Sequence, residues 1–214
     1  MASQSVITRR TVRAGRFRGA LLAALASAML GGCFLADNDE ADPIVPDAVL
    51  AYPLKEGRAQ QCKIEDGKEP KCEKALIERR EGGGYDLLTW SSGGEKEEPS
   101  SSTKGYRLRE LSGAGVPGDA YLVQTIASDV GSRYLGLLRR ADGGGWEQLE
   151  PQCDTMTAQR FASFMHDGWI FTKPDAKLSD VTCYISRDGL TDARLYAILD
   201  AAEPTSTTII HDGK

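Results

Sequence analysis

Leu76-Ile77-Glu78-Arg79-Arg80-Glu81-Gly82-Gly83-Gly84-Tyr85-Asp86-Leu87 and Leu137-Leu138-Arg139-Arg140-Ala141-Asp142-Gly143-Gly144-Gly145-Trp146-Glu147-Gln148-Leu149 follow one pattern. In each, an apolar segment enters a triple-glycine turn and leaves through an aromatic residue. Glycine supplies the positive φ that tight turns need, so each stretch predicts a β-hairpin. Upstream of each stands Ala-Tyr followed by apolar residues: Ala51-Tyr52-Pro53-Leu54 and Ala120-Tyr121-Leu122-Val123. We read a duplicated β unit, with pseudo-repeats over 48–111 and 120–185 and the Cys62 to Cys72 segment inserted in the first. Gly-rich hairpins also recur without common origin.

Further strands are predicted at Tyr106–Leu111, which alternates cleanly, at Tyr121–Ile126, at Trp169–Thr172 and at Val181–Ile185. Two helices follow from apolar residues spaced at i, i+3, i+4 and i+7. The first covers 155–166 with Asp154 as its cap and Ala158, Phe161, Ala162 and Met165 on one face. The second runs from near Thr191 to about Ala202 with Leu195, Ile198, Leu199 and Ala202 as its stripe. Leu190 staples onto Leu195, and Pro204 stops the helix. The expected fold is mainly antiparallel β, a duplicated meander forming a small barrel or sandwich, with two α-helices in the C-terminal third; by count it is α+β. One β-rich domain over 48–204 is expected. A low-complexity loop or hinge covers 91–104, and a polar tail covers 205–214, relieved by Ile209 and Ile210.

The first 33 residues are of another kind. Five arginines and no acid (Arg9, Arg10, Arg13, Arg16, Arg18) precede the 11-residue apolar segment 20–30. A transmembrane helix needs about 20 such residues, so this segment reads as an export signal. It ends in Leu30-Gly31-Gly32-Cys33. This resembles the signal peptide of bacterial lipoproteins, whose lipobox is Leu, two small residues and Cys. The resemblance covers residues 1–33. It implies cleavage after Gly32 and lipid attachment at Cys33. Phe34 stands where enterobacterial lipoproteins held at the inner membrane carry Asp, which implies the outer membrane, facing the periplasm. Arg9-Arg10 hints at twin-arginine export, but Thr11-Val12-Arg13 fits that signal poorly, and an ordinary basic region is preferred. Residues 33–47, with Asp37, Asp39, Glu40, Asp42 and Asp47 beside Pro43 and Pro46, read as an acidic disordered tether.

The whole chain has 214 residues and a net charge of −5. Removing 1–32 takes away five of its 26 basic residues and none of its 31 acids, leaving a net charge of −10. That argues against nucleic acid and against adhesion to anionic lipid headgroups, both of which reward positive charge. With Cys33 lipidated, Cys62, Cys72, Cys153 and Cys183 remain. An even count in an exported chain predicts disulfides. Three pairings are formally open. The short polar segment between Cys62 and Cys72 favours a local staple, leaving Cys153 with Cys183. Zinc is disfavoured because there is no Cys-x2-Cys pair and the chain has only two histidines.

Catalytic chemistry finds little support. His166 ends the first predicted helix and His211 lies in the predicted tail. Ser163 and Ser186 sit in no nucleophile motif. The glycine runs lack the following helix and Lys-Ser/Thr of a phosphate loop. Glu95-Lys96-Glu97-Glu98 and Glu65-Asp66 lack the ligand spacing of a calcium loop. Tyr52, Trp90, Tyr121, Tyr134, Trp146 and Trp169 could line a groove for a glycan or peptide, although such aromatics usually fill a β core. The sequence therefore predicts a lipid-anchored, non-catalytic envelope protein without cofactor or metal. It would bind another envelope component, protein or glycan, or assist assembly. Tyr85 and Trp146 mark the candidate binding surface. The alternatives are a small barrel acting as carrier or inhibitor and, third, an envelope hydrolase.

Overall fold

The computed structural model describes residues 34–36, 44–65, 67–90, 104–126, 133–172 and 182–213. The two glycine hairpins form where expected. The first joins β3 (Lys71–Arg79) to β4 (Tyr85–Thr89), and the second joins β7 (Arg133–Arg140) to β8 (Trp146–Pro151). Their turns carry the same hydrogen bonds. Arg80 N–H donates to Gly84 O (3.1 Å) and Gly83 N–H to Arg80 O (3.0 Å); Ala141 N–H donates to Gly145 O (3.3 Å) and Gly144 N–H to Ala141 O (3.0 Å). Gly84 and Gly145 have φ of 92° and 86°. A Cβ at Gly84 would collide with the Tyr106 carbonyl oxygen, and one at Gly145 with that of Ile210. Only glycine meets both demands there.

These strands join β2 (Gly57–Ile64), β5 (Lys104–Glu110), β6 (Ala120–Ile126) and β11 (Pro204–Asp212). The order is β6-β5-β4-β3-β2-β11-β8-β7, and β6 pairs with β7 to close the ring. Every neighbouring pair is antiparallel. The body is an eight-stranded up-and-down barrel with its last strand delayed by an insert. That insert holds α1 (Ala158–His166), β9 (Ile170–Thr172), β10 (Cys183–Ile185) and α2 (Asp192–Asp200). The mainly-β expectation holds, and of barrel or sandwich the chain builds the barrel. Closure removes the sheet edges that an open sheet would have to protect. Among the described residues no helix is long and apolar enough to cross a membrane.

Period-two alternation sorts the side chains into two cores. Inside the barrel lie Leu54, Ala75, Ile77, Tyr85, Leu87, Tyr106, Leu108, Val123, Leu138, Trp146 and Ile210. Outside β6, β7 and β8, a second core holds Leu122, Leu135, Leu137 and Leu149 against Leu195, Ile198 and Leu199 of α2. Arg109 locks α2 to the barrel through Asp192 (2.6 Å), whose Oδ2 also accepts from Ser112 N–H (3.1 Å).

Four expectations need correction. The polar tail 205–214 is largely β11, whose β-branched residues favour a strand and which closes the barrel. The tether 33–47 is in part structured. Phe34 and Val45 are fully buried and Ile44 nearly so, and Phe34–Ala36 forms β1, parallel to β10 and bridged to β7. Two apolar pairs, Phe34-Leu35 and Ile44-Val45, outweigh the acids around them. The first helix is capped by Thr157, which accepts from Arg160 N–H (3.4 Å), not by Asp154, which lies in a 3-10 turn over Cys153–Thr155. Its apolar face is Phe161, Phe164 and Met165, while Ala158 and Ala162 are exposed. Finally, the Cys62 to Cys72 segment is the β2–β3 hairpin, an integral part of the barrel. The second helix matches expectation, with Thr191 as its cap.

Candidate functional site

Tyr85 and Trp146, read from sequence as a binding surface, are 0% and 1% exposed. Each is the first residue after its glycine turn, and register points both rings into the barrel. They belong to the barrel core and form no part of the surface. Each anchors the same kind of cluster. Tyr52 meets Tyr85 edge-on (5.5 Å, 72°) with the Arg79 guanidinium over Tyr52 at 4.4 Å. Tyr121 meets Trp146 edge-on (5.6 Å, 72°) with Arg140 over Trp146 at 3.8 Å. Tyr85 O–H donates to Leu54 O (2.7 Å), so the segment before β2 plugs this end of the barrel. Burial, only partly offset by that bond, pushes the Tyr85 hydroxyl up to about 12.

The barrel interior is graded. Near the glycine hairpins it is apolar, and its free space is about 10 Å³, the threshold for a single water. Towards the opposite end, β-strand alternation brings in Gln61, Glu73, Thr125, Gln148 and Glu150. Gln148 is bonded to the Tyr106 hydroxyl, whose burial raises it well above the usual phenol range. Gln148 Nε2 also donates to Glu150 Oε1 (3.3 Å). Gln61 Oε1 is buried and has no hydrogen-bond partner among the described residues.

At this end β8 leaves β7, and β1 pairs with β7 through Leu35 and Tyr134. Leu35 pairs with Tyr134, Leu35 with Tyr184, and Tyr184 with Phe171. Residues in direct register project to the same side. Tyr134, Leu35, Tyr184 and Phe171 therefore form one cross-strand ladder over β7, β1, β10 and β9, and since Tyr134 is also in register with Thr125, the ladder continues the barrel's inner face beyond β7. Tyr134 is 38% exposed, the other three are half-buried, and Phe171 stacks on Tyr184 (5.5 Å, 22°). The opposite face of these strands, with Phe34, Ile170, Cys183 and Ile185, is buried in the second core. The sequence reading included Tyr134 in an aromatic groove. The structure separates that set: Tyr52 and Tyr121 belong to the hairpin clusters, Trp146 to the barrel core, and Trp169 stacks on Phe164 beside α1 (5.2 Å). Trp90 N–H donates to Lys74 O at the end of β4 (3.3 Å).

The disulfides join Cys62 to Cys72 and Cys153 to Cys183. The first links opposed residues of β2 and β3 on the outer face, with Cys72 exposed. The second is buried and ties the end of β8 to β10 inside the insert. His166 sits exposed at the end of α1 with Nδ1 3.1 Å from Asp167 Oδ1. His211 lies on β11 opposite Gln60, with its ring beside Gly145. Ser163 is on the exposed side of α1, and Ser186 Oγ accepts from Asp188 N–H (3.4 Å). Among the described residues no three His, Cys, Asp or Glu side chains are grouped to hold a metal. Cys33, Asp66 and Glu95–Glu98 lie outside the described residues.

Glu65 stands between Lys68 (2.5 Å) and Lys63 (2.9 Å) at the β2–β3 turn. Their hydrogen bonds and charges, Lys68 first, hold its carboxyl down at about 2 against an ordinary 4.5. A lowered carboxyl favours the folded turn above pH 4.5, and this is lost as pH falls towards 2. Open to solvent and salt, the cluster adds little to global stability. A carbon-detected titration should place the Glu65 carboxyl midpoint near 2. A midpoint of 4.5 would show that the lysines do not hold it.

No protein-family model, curated protein or solved structure matches this chain.

Proposed function

We propose that this is a non-catalytic lipoprotein of the bacterial envelope that binds another envelope component through its outer surfaces. Lipid on Cys33 holds it to the membrane, and the outer membrane's periplasmic side is its place. The observation that carries the binding mode is the filled apolar half of the barrel interior, beside the glycine hairpins. Ligand sites usually occupy about 300–1,000 Å³, whereas the free space among the apolar side chains of that half is about 10 Å³. That favours a protein or glycan partner on the outside over an apolar cargo within. The rigid closed barrel and the insert, which the buried disulfide fixes, supply a pre-organised surface.

Anchoring is tested by Cys33→Ser. The variant should stay as an uncut precursor or leave the membrane fraction, because stable anchoring needs more than one acyl chain. Normal processing and full membrane retention would end the lipoprotein reading. In the same strain His166→Ala with His211→Ala should preserve any envelope phenotype. Loss with that pair, in a folded protein, would restore the enzyme reading.

A further inference from the structure

We propose that the Tyr134–Leu35–Tyr184–Phe171 ladder is the face with which the body rests on the interfacial layer of the bilayer. This rests on the reading of Cys33 as the lipidated residue. Leu35 is two residues beyond Cys33, so at most about 7 Å of extended chain separates the ladder from the acyl attachment. The acyl chains enter the bilayer at Cys33, which brings the membrane surface within that reach of Leu35. Phe34 is fully buried and Leu35 is paired on both sides, so no free spacer follows the anchor. A body tethered by a disordered linker could take any orientation. A body whose second residue is a core strand residue cannot.

The chemistry of the ladder fits that layer. Tyrosine has an apolar ring and a polar tip and concentrates at membrane interfaces. Here two tyrosines flank a leucine, with a phenylalanine next to Tyr184. Four strands spaced about 4.8 Å apart make the row about 14 Å long. Charge gives no alternative attraction, since the chain after residue 32 carries a net charge of −10. Its contact with lipid is therefore apolar, independent of anionic headgroups. The other face of β1, β9 and β10 is covered by the second core, so the ladder lies on the side they turn away from it, continuous at Tyr134 with the barrel's inner face at the end opposite the glycine hairpins.

The test uses the acylated mature protein in phosphatidylcholine nanodiscs containing a headgroup-nitroxide lipid, with acylation first checked by mass. Amide signals of Leu35, Tyr134, Phe171 and Tyr184 should be lost, and should return when the nitroxide is reduced. Gly83 and Gly144, at the hairpin end, should keep theirs. Acylated protein whose ladder signals survive as well as those of Gly83 and Gly144 overturns the inference and leaves the anchor reading standing. Protein purified from membranes without acyl groups removes both. Phe171→Ser with Tyr184→Ser, acylated and folded by its amide spectrum, should lose the effect at Tyr134. If that variant does not fold, the unsubstituted protein's pattern still decides. Sedimentation of the unacylated Cys33→Ser body should show a monomer. A concentration-dependent dimer that Tyr184→Ser abolishes would assign the ladder to a second copy and overturn the membrane contact.

Discussion

Trp146→Ala should lower the free energy of unfolding by about 3–5 kcal/mol, the range for deleting a large buried aromatic ring. The indole is 1% exposed, touches Tyr121 edge-on and fills the barrel between β8 and β11. Its removal takes apolar area from the core and leaves a void that eight hydrogen-bonded strands cannot close without breaking register. Tyr52→Ala is the control. Tyr52 is 39% exposed and lies over Tyr85 from the plug segment, so its loss should cost about 1 kcal/mol, the worth of an aromatic pair with some area. Denaturant midpoints at unchanged slope report the difference. If Trp146→Ala kept full stability and lost partner binding, the ring would be a binding group and not core.

Removal of the buried disulfide should be the other large loss. Cys153→Ser with Cys183→Ser opens a loop of 30 residues that contains α1 and β9. Chain-entropy reasoning gives about 4 kcal/mol for a loop of that length and about 3 kcal/mol for the 10-residue loop of Cys62 and Cys72. The two losses should differ by more than the ~1 kcal/mol that separates those figures. Cys62 and Cys72 are already held opposite each other by the β2–β3 ladder, whereas β9 and β10 have three residues each. Two serine hydroxyls left in the second core also lack the environment a polar group needs. Thermal unfolding of the two double variants in oxidising buffer ranks them. An equal loss for both would mean that the insert folds without its bridge.

The hairpins were legible because a triple glycine after an apolar run has few other uses. The bonds at Gly84 and Gly145 then follow, down to matching aromatic clusters 61 residues apart. The inward direction of Tyr85 was also within reach, since period two puts it on the face of Leu87. Trp146 gave less help, because its same-face neighbour is the polar Gln148. β11 was hidden by its hydroxyl-rich start, although Thr207-Thr208-Ile209-Ile210 is a β-branched run. The ladder could not be read from the sequence. Leu35, Tyr134, Phe171 and Tyr184 lie far apart along the chain and are aligned only by the register of three short pairings. β1 is three residues long, too short for any periodicity, and its place depends on β10 and β7. The buried Gln61 oxygen is equally invisible before closure, because β2 and β11 must meet to enclose it.

Everything placed on the membrane turns on the chemical state of one residue. Purified from the membranes of cells that make it, the protein should yield an N-terminal peptide beginning at Cys33. Its mass should exceed the unmodified value by that of a thioether-linked diacylglycerol, with or without a further N-acyl chain. A peptide beginning at Cys33 without lipid, or one that continues uncut from residue 32, would contradict the account.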